Sequence, residues 1–212
     1  KYQDIENKKR LLIEKIEYLK NSRIIFNNLR FNFVEVSLNT LVTHHNGNSN
    51  YTKEFCREHA GIFPVFSANN NAPIGYIDKA DYNGEFLTYS KNGCAGYISI
   101  MNGLFSINGD RCVLKLNNEY KGIDISYLKY YLEPIFRANI KGRIGVNGKN
   151  EYTKLNSTMI KKLDITIPIP IKADGSFDLE KQQELAQKYA TIDSIKEELY
   201  NKIQNLTKVV VY

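Results

Sequence analysis

The 212 residues carry 42% hydrophobic and 25% charged side chains and a net charge of +6, a globular balance that excludes intrinsic disorder. No run approaches the ~18 consecutive apolar residues of a membrane span, and the charged opening Lys1-Tyr2-Gln3-Asp4 lacks an apolar secretory core. The length suits one domain with an appended element, and a start without Met reads as a fragment or a processed chain.

The first predicted element is a helix. Tyr2, Ile5, Lys9, Leu12, Ile16 and Leu19 are spaced 3, 4, 3, 4 and 3 apart, the a/d seam of a coiled coil. The pattern then turns β-rich. Residues 34–37 alternate as a half-buried strand, and 38–61, rich in Asn, His and Gly, read as a loop with one helical turn near 52–59. Residues 61–77 read as a short strand, a polar turn and a second strand, and further short strands are predicted at 86–90, 96–100, 105–108 and 112–116, with Lys91-Asn92-Gly93, Asn102-Gly103 and Asn108-Gly109 as turns. Residues 124–139 are predicted helical, with Pro134 bending or ending the helix. A short helix near 156–162 and a strand at 163–169 close the body, where Pro168 and Pro170 block further ladder pairing.

The last element repeats the first. Offset by 187 residues, Tyr189, Ile192, Lys196, Leu199, Ile203 and Leu206 restate the opening seam with the same spacings and largely the same residues. Each copy is too short to stand alone in water. Its partner is the other copy, antiparallel, or a helix elsewhere in a longer polypeptide or another subunit. The expected interface is Ile5, Leu12, Ile16 and Leu19 against Ile192, Leu199, Ile203 and Leu206. The reading is therefore α+β: spacer helices at 1–28 and 177–208 around a mixed α/β body at 29–172.

Charge concentrates in one place. Residues 137–162 hold seven cations (Arg137, Lys141, Arg143, Lys149, Lys154, Lys161, Lys162) against Glu151, which accounts for the net excess and points to a polyanionic partner. Familiar catalytic signatures do not assemble: there is no phosphate loop and no Asn/Asp-Pro-Pro-aromatic run, and as nuclease Glu-x-Lys candidates Glu151-Tyr152-Thr153-Lys154 has the wrong spacing and Glu180-Lys181-Gln182 the wrong order. His44-His45 with Cys56 or Asp78 has nothing to assemble it. Cys56, Cys94 and Cys112 are widely spaced and odd in number, which fits packed thiols in a reducing cytosol better than a disulfide framework or a zinc site with His59. The chain is read as non-catalytic, with no metal of its own.

In order along the chain stand Gly61-x-x-Pro64-Val65-x-Ser67-Ala68-Asn69, Gly75-Tyr76-Ile77 and Tyr89-Ser90-x-x-Gly93-x-Ala95-Gly96. Phe105-Ser106-Ile107-Asn108, Tyr127-Leu128-x-Tyr130-Tyr131-Leu132 and Ile167-Pro168-Ile169-Pro170 follow, ahead of Gln182 and Gln183. This succession resembles the specificity subunit of type I restriction–modification systems over nearly the whole chain. In that family target-recognition domains alternate with helices that form an antiparallel coiled coil, and the 187-residue repeat matches half of such a subunit. The segment 171–179 departs from the family's direct passage into the last helix, a feature shared with C-terminal recognition regions of single-chain restriction–methylation enzymes. A coiled-coil adaptor that binds only protein is the remaining alternative.

The resemblance implies a module that reads one half of a split double-stranded DNA target. Partners would be DNA methyltransferase (modification) subunits carrying S-adenosylmethionine, a restriction subunit, and a second recognition domain in the same chain or by dimerisation. No cofactor is expected in this chain. The site expected to meet DNA comprises Asn69, Asn70 and Asn71 for adenine edges and Arg143 for guanine, with Lys91, Asn92, Asn147 and Tyr152 beside them. Lys141, Lys149 and Lys154 would hold phosphates.

Overall fold

The computed structural model describes residues 2–21, 31–68, 72–143 and 152–208. The body opens and closes on one antiparallel ladder, in which β1 (Phe33–Ser37) pairs β13 (Thr166–Pro170) from Phe33↔Pro170 to Ser37↔Thr166. Pro168 and Pro170 have no N–H to offer, and among the described residues β13 pairs with β1 alone. The chain thus enters and leaves the body side by side. Helix α1 (Tyr2–Asn21) precedes this ladder, α6 (Leu179–Lys208) follows it, and the two helices lie against each other.

Residues 38–46 correct the expectation of a loop. Ser37 caps a single helical turn, α2 (Leu38–Leu41), by accepting a bond from Asn39 N–H, and β2 (Val42–Asn46) follows. β2 is the edge strand of a four-stranded sheet ordered β2-β10-β6-β8, with β10 at Arg111–Leu116, β6 at Phe86–Ser90 and β8 at Ile98–Met101. Thr43 and His45 on one face of this strand and Asn46 on the other are all exposed, so polar residues are tolerated at this edge of the sheet.

A second four-stranded sheet runs β4-β3-β9-β5: Gly75–Ile77, Ala60–Phe66, Leu104–Ile107 and Tyr82–Asn83. Its β3–β9 pair is parallel. Side-chain alternation divides the core. Leu87, Tyr89, Cys112 and Leu114 face α4 (Ile125–Ala138) and Ile167 and Ile169 of β13, joined by Leu185, Ala186 and Tyr189 of α6. Met101 and Val113 turn the other way and meet Phe105 and Ile107 of the second sheet. A smaller cluster of Tyr51, Cys56, Val65 and Ile77 seats α3 (Lys53–Glu58).

Asp124 caps α4 by accepting from Tyr127 N–H at 2.7 Å. Pro134 does not end the helix, which runs on to Ala138 close to the predicted limit of 139, because buried Leu132 and Phe136 hold its inner face on both sides of the proline. Gln182 fixes α6 to the body from a fully buried position. Its Oε1 accepts from Asp124 N–H at 2.8 Å, and its Nε2 donates to Gly122 O at 3.1 Å and Asp178 O at 3.2 Å.

Candidate nucleic-acid interface

The cationic tract folds into a ladder. β11 (Lys141–Arg143) pairs antiparallel with β12 (Tyr152–Lys154), which pairs with β7 (Asn92–Gly93). Thr153 sets which face is which. It is buried, its Oγ1 donates to Gly93 O at 2.7 Å and accepts from Ala95 N–H at 3.0 Å. Gly142 lies opposite Thr153 at a φ of +107°, and a Cβ there would stand 2.3 Å from Tyr152 O, so only glycine fits. With Thr153 and Gly142 inward, the opposed pairs Lys141/Lys154 and Arg143/Tyr152 share the outer face. All four are exposed, Tyr152 by 65%. The Arg143 guanidinium lies 5.3 Å from the Tyr152 ring centre, a cation–π contact that preorganises both. No described carboxylate pairs with Lys141, Arg143 or Lys154.

Beside the ladder, a buried knot ties loops from both large sheets. Arg111 begins β10 and points toward the second sheet, on the face it shares with Thr88 and Ser90 of β6. It is fully buried. Its Nε donates to Ser67 O at 2.6 Å, Nη1 to Thr88 Oγ1 at 2.9 Å, and Nη2 to Ser90 Oγ at 3.2 Å and Ala68 O at 3.5 Å. Ser90 Oγ also donates to Ala68 O at 2.8 Å. Burial lowers the guanidinium pKa to about 10, so the cation persists at neutral pH. Next to it, the Asp110 carboxylate accepts from Asn92 Nδ2 at 2.8 Å and from Ser67 Oγ at 3.4 Å. Arg111 and Asp110 were not among the residues singled out from sequence; within Asn108-Gly109-Asp110-Arg111 they look like an ordinary turn, and only strand pairing reveals their neighbours.

The expected site residues therefore divide. Lys141, Arg143, Tyr152 and Lys154 converge on one open face, with Asn92 opposite Lys154 on the neighbouring strand. Asn92 is engaged by Asp110, and Lys91 Nζ donates to Asn46 Oδ1 at 2.9 Å. Asn69, Asn70, Asn71, Asn147 and Lys149 lie outside the described residues, although Ser67 and Ala68 lead directly into the first three. Arg137 belongs to the scaffold: it donates to Ala95 O at 2.6 Å and stacks 4.1 Å from the Tyr97 ring centre.

His44 packs edge-on against Tyr89 with Nδ1 3.3 Å from its hydroxyl, so it turns toward the core rather than toward Cys56 or Asp78. Cys56 and Cys112 are buried and Cys94 half-buried. Among the described residues no group of three or more His, Cys, Asp or Glu side chains could hold a metal ion, and no described helix is long and apolar enough to cross a membrane.

Residues 32–207 match the family described as the type I restriction modification DNA specificity domain. The chain belongs to that family. Among curated relatives from Mycoplasma pneumoniae, it is 34% identical over 122 residues to a protein named type I specificity subunit S.MpnORF507P, a match covering 55% of this chain and 31% of that one. It is 31% identical over 140 residues to the type I restriction enzyme MpnII specificity subunit, covering 61% of this chain and 39% of the relative. The specificity-domain fold also recurs in solved structures. The type I system S subunit of M. genitalium aligns with a TM-score of 0.57 at 16% identity, over 80% of this chain and 41% of that one. The HsdS subunit of Thermoanaerobacter tengcongensis aligns at 0.55 and 14%, over 95% and 49%. The chain thus spans about a third to a half of the length of these proteins.

Proposed function

We propose that this specificity-domain chain is the target-recognition module of a restriction–modification system, reading one half of a split DNA target and making no bonds itself. The ladder carries the reading: Lys141, Arg143 and Lys154 stand clear on one face with Tyr152 between them, while buried Thr153 fixes that face outward. Such cations supply salt-dependent, sequence-blind grip on phosphates, and Arg143 stacked on Tyr152 is also placed to offer its fork to a guanine edge. Loop side chains at 69–71 and 92 would read the neighbouring bases.

Helices α1 and α6 would form an antiparallel coiled coil, with the spacer helices at 1–28 and 177–208 flanking the body at 29–172. The β1–β13 ladder, which brings the two ends of the body together, and the contact between α1 and α6 support this arrangement. The pair would set the distance to a second recognition domain and dock methyltransferase and restriction subunits, with S-adenosylmethionine bound on the methyltransferase. The curated relatives are named as specificity subunits, which supports that assembly.

Salt titration of duplex binding tests the reading. Binding should weaken with salt, and Arg143→Ala with Lys154→Ala should reduce the slope of log affinity against log salt by about 2, from roughly 0.9 per lost phosphate contact. An unchanged slope would remove the ladder from the DNA interface.

A further inference from the structure

Grip and selectivity have different requirements. Phosphate contacts tolerate a loose chain, whereas hydrogen bonds to base edges fail when the reading loop shifts. Loops acquire fixed positions only where something rigid ties them down. In this protein Ser67 and Ala68 leave β3 and Asn92 follows β6, and those two strands belong to different sheets. No regular pairing joins Ser67 or Ala68 to Asn92. Side chains do. Arg111 holds the Ser67 and Ala68 carbonyls to Thr88 and Ser90 of the first sheet, and Asp110 holds Ser67 Oγ and Asn92 Nδ2 on one carboxylate. Asn92 in turn lies opposite Lys154, so the same knot fixes both loops to the ladder.

We propose that Arg111 and Asp110 are positioning residues for target selectivity, tying Ser67 and Ala68 at the end of β3 and Asn92 after β6 to the cationic ladder. The inference rests on the ladder being the DNA face. Stability alone is a poor reason for this arrangement. A buried guanidinium costs desolvation that an apolar side chain of similar volume would avoid. What an apolar residue cannot do is bond Ser67, Ala68, Thr88 and Ser90 from one rigid planar fork. Lysine, with a single ammonium, cannot reach all four either.

The test uses the protein with Arg111→Lys and Asp110→Ala introduced separately. Sites are selected from duplexes with randomised positions, and salt slopes and thermal melting are measured in parallel. Asp110 is only partly buried and sits in a turn, so its variant keeps the test open if Arg111→Lys fails to fold. Expected is a salt slope equal to that of the parent, with discrimination at a subset of target positions falling about tenfold, within the usual range for one lost base contact. Folded variants that retain full discrimination would overturn the inference. So would specific and non-specific affinity falling together, because the residues would then be structural only. A parent that binds no duplex, or a slope untouched by Arg143→Ala with Lys154→Ala, would instead overturn the ladder reading, and this inference with it.

Discussion

His44 shows how far a side chain's role depends on what packs over it. In sequence it belongs to a polar tandem; in the fold it sits on β2 with its ring against Tyr89. Burial first, then the charges of Lys161 and His45, lower its pKa from 6.5 to about 4. The unfolded chain therefore takes up this proton before the folded one does. Its contribution to stability is full above about 6.5, declines as pH falls, and levels off near 4. His44→Phe keeps a ring against Tyr89 and removes the proton, so the stability difference between variant and parent should shift in the variant's favour between those two values. Urea denaturation across that range measures it. Arg143 and Lys154, by contrast, were legible as a charge cluster without any packing. Arg111 was not, because a turn residue looks the same whether its side chain meets water or the junction of two sheets.

Periodicity located α4, α6, β6 and β10 because each has a face whose residues must leave water. It failed at β2, an edge strand exposed at Thr43, His45 and Asn46 on both of its faces, so no clean alternation marks it. Of the two roles open to Pro134, ending the helix is excluded: in a helix packed as α4 is, buried neighbours on both sides outweigh one lost hydrogen bond. Gln182 gained a physical role in the structure. Noticed in sequence only for its place at the start of a helix, it joins α6 to Asp124 N–H and Gly122 O. Gln182→Ala removes both bonds from a half-buried and an exposed partner that water can still reach, at about 0.5–1.5 kcal/mol each. Chemical denaturation should show a loss of about 1–3 kcal/mol, with a native-like circular dichroism spectrum before the transition.

At the scale of the molecule, β1 and β13 join the two ends of the body, and α1 lies against α6. Leu12 and Leu199 are 43% exposed on helices that lie against each other. If they line a shared seam, Leu12→Lys and Leu199→Lys should each cost about 1 kcal/mol, the worth of a half-buried leucine. Helical circular dichroism should then melt at a lower temperature in each variant, with the near-ultraviolet tyrosine signal of the body unchanged. Equal melting of variant and parent would show that these leucines line no seam.

The sequence by itself determined the twin helices, the order of most strands, the position of the charge excess and the family likeness, because spacing, turn chemistry and charge are local properties of a chain. Only the tertiary structure decided that the glycine-and-cation tract becomes a ladder with Thr153 inward, that Asn92 reaches Lys154 across it, and that Arg111 binds two sheets together. Those facts depend on register and on contacts between residues 20 to 60 positions apart, and register is fixed by which faces find a core, not by neighbours in sequence.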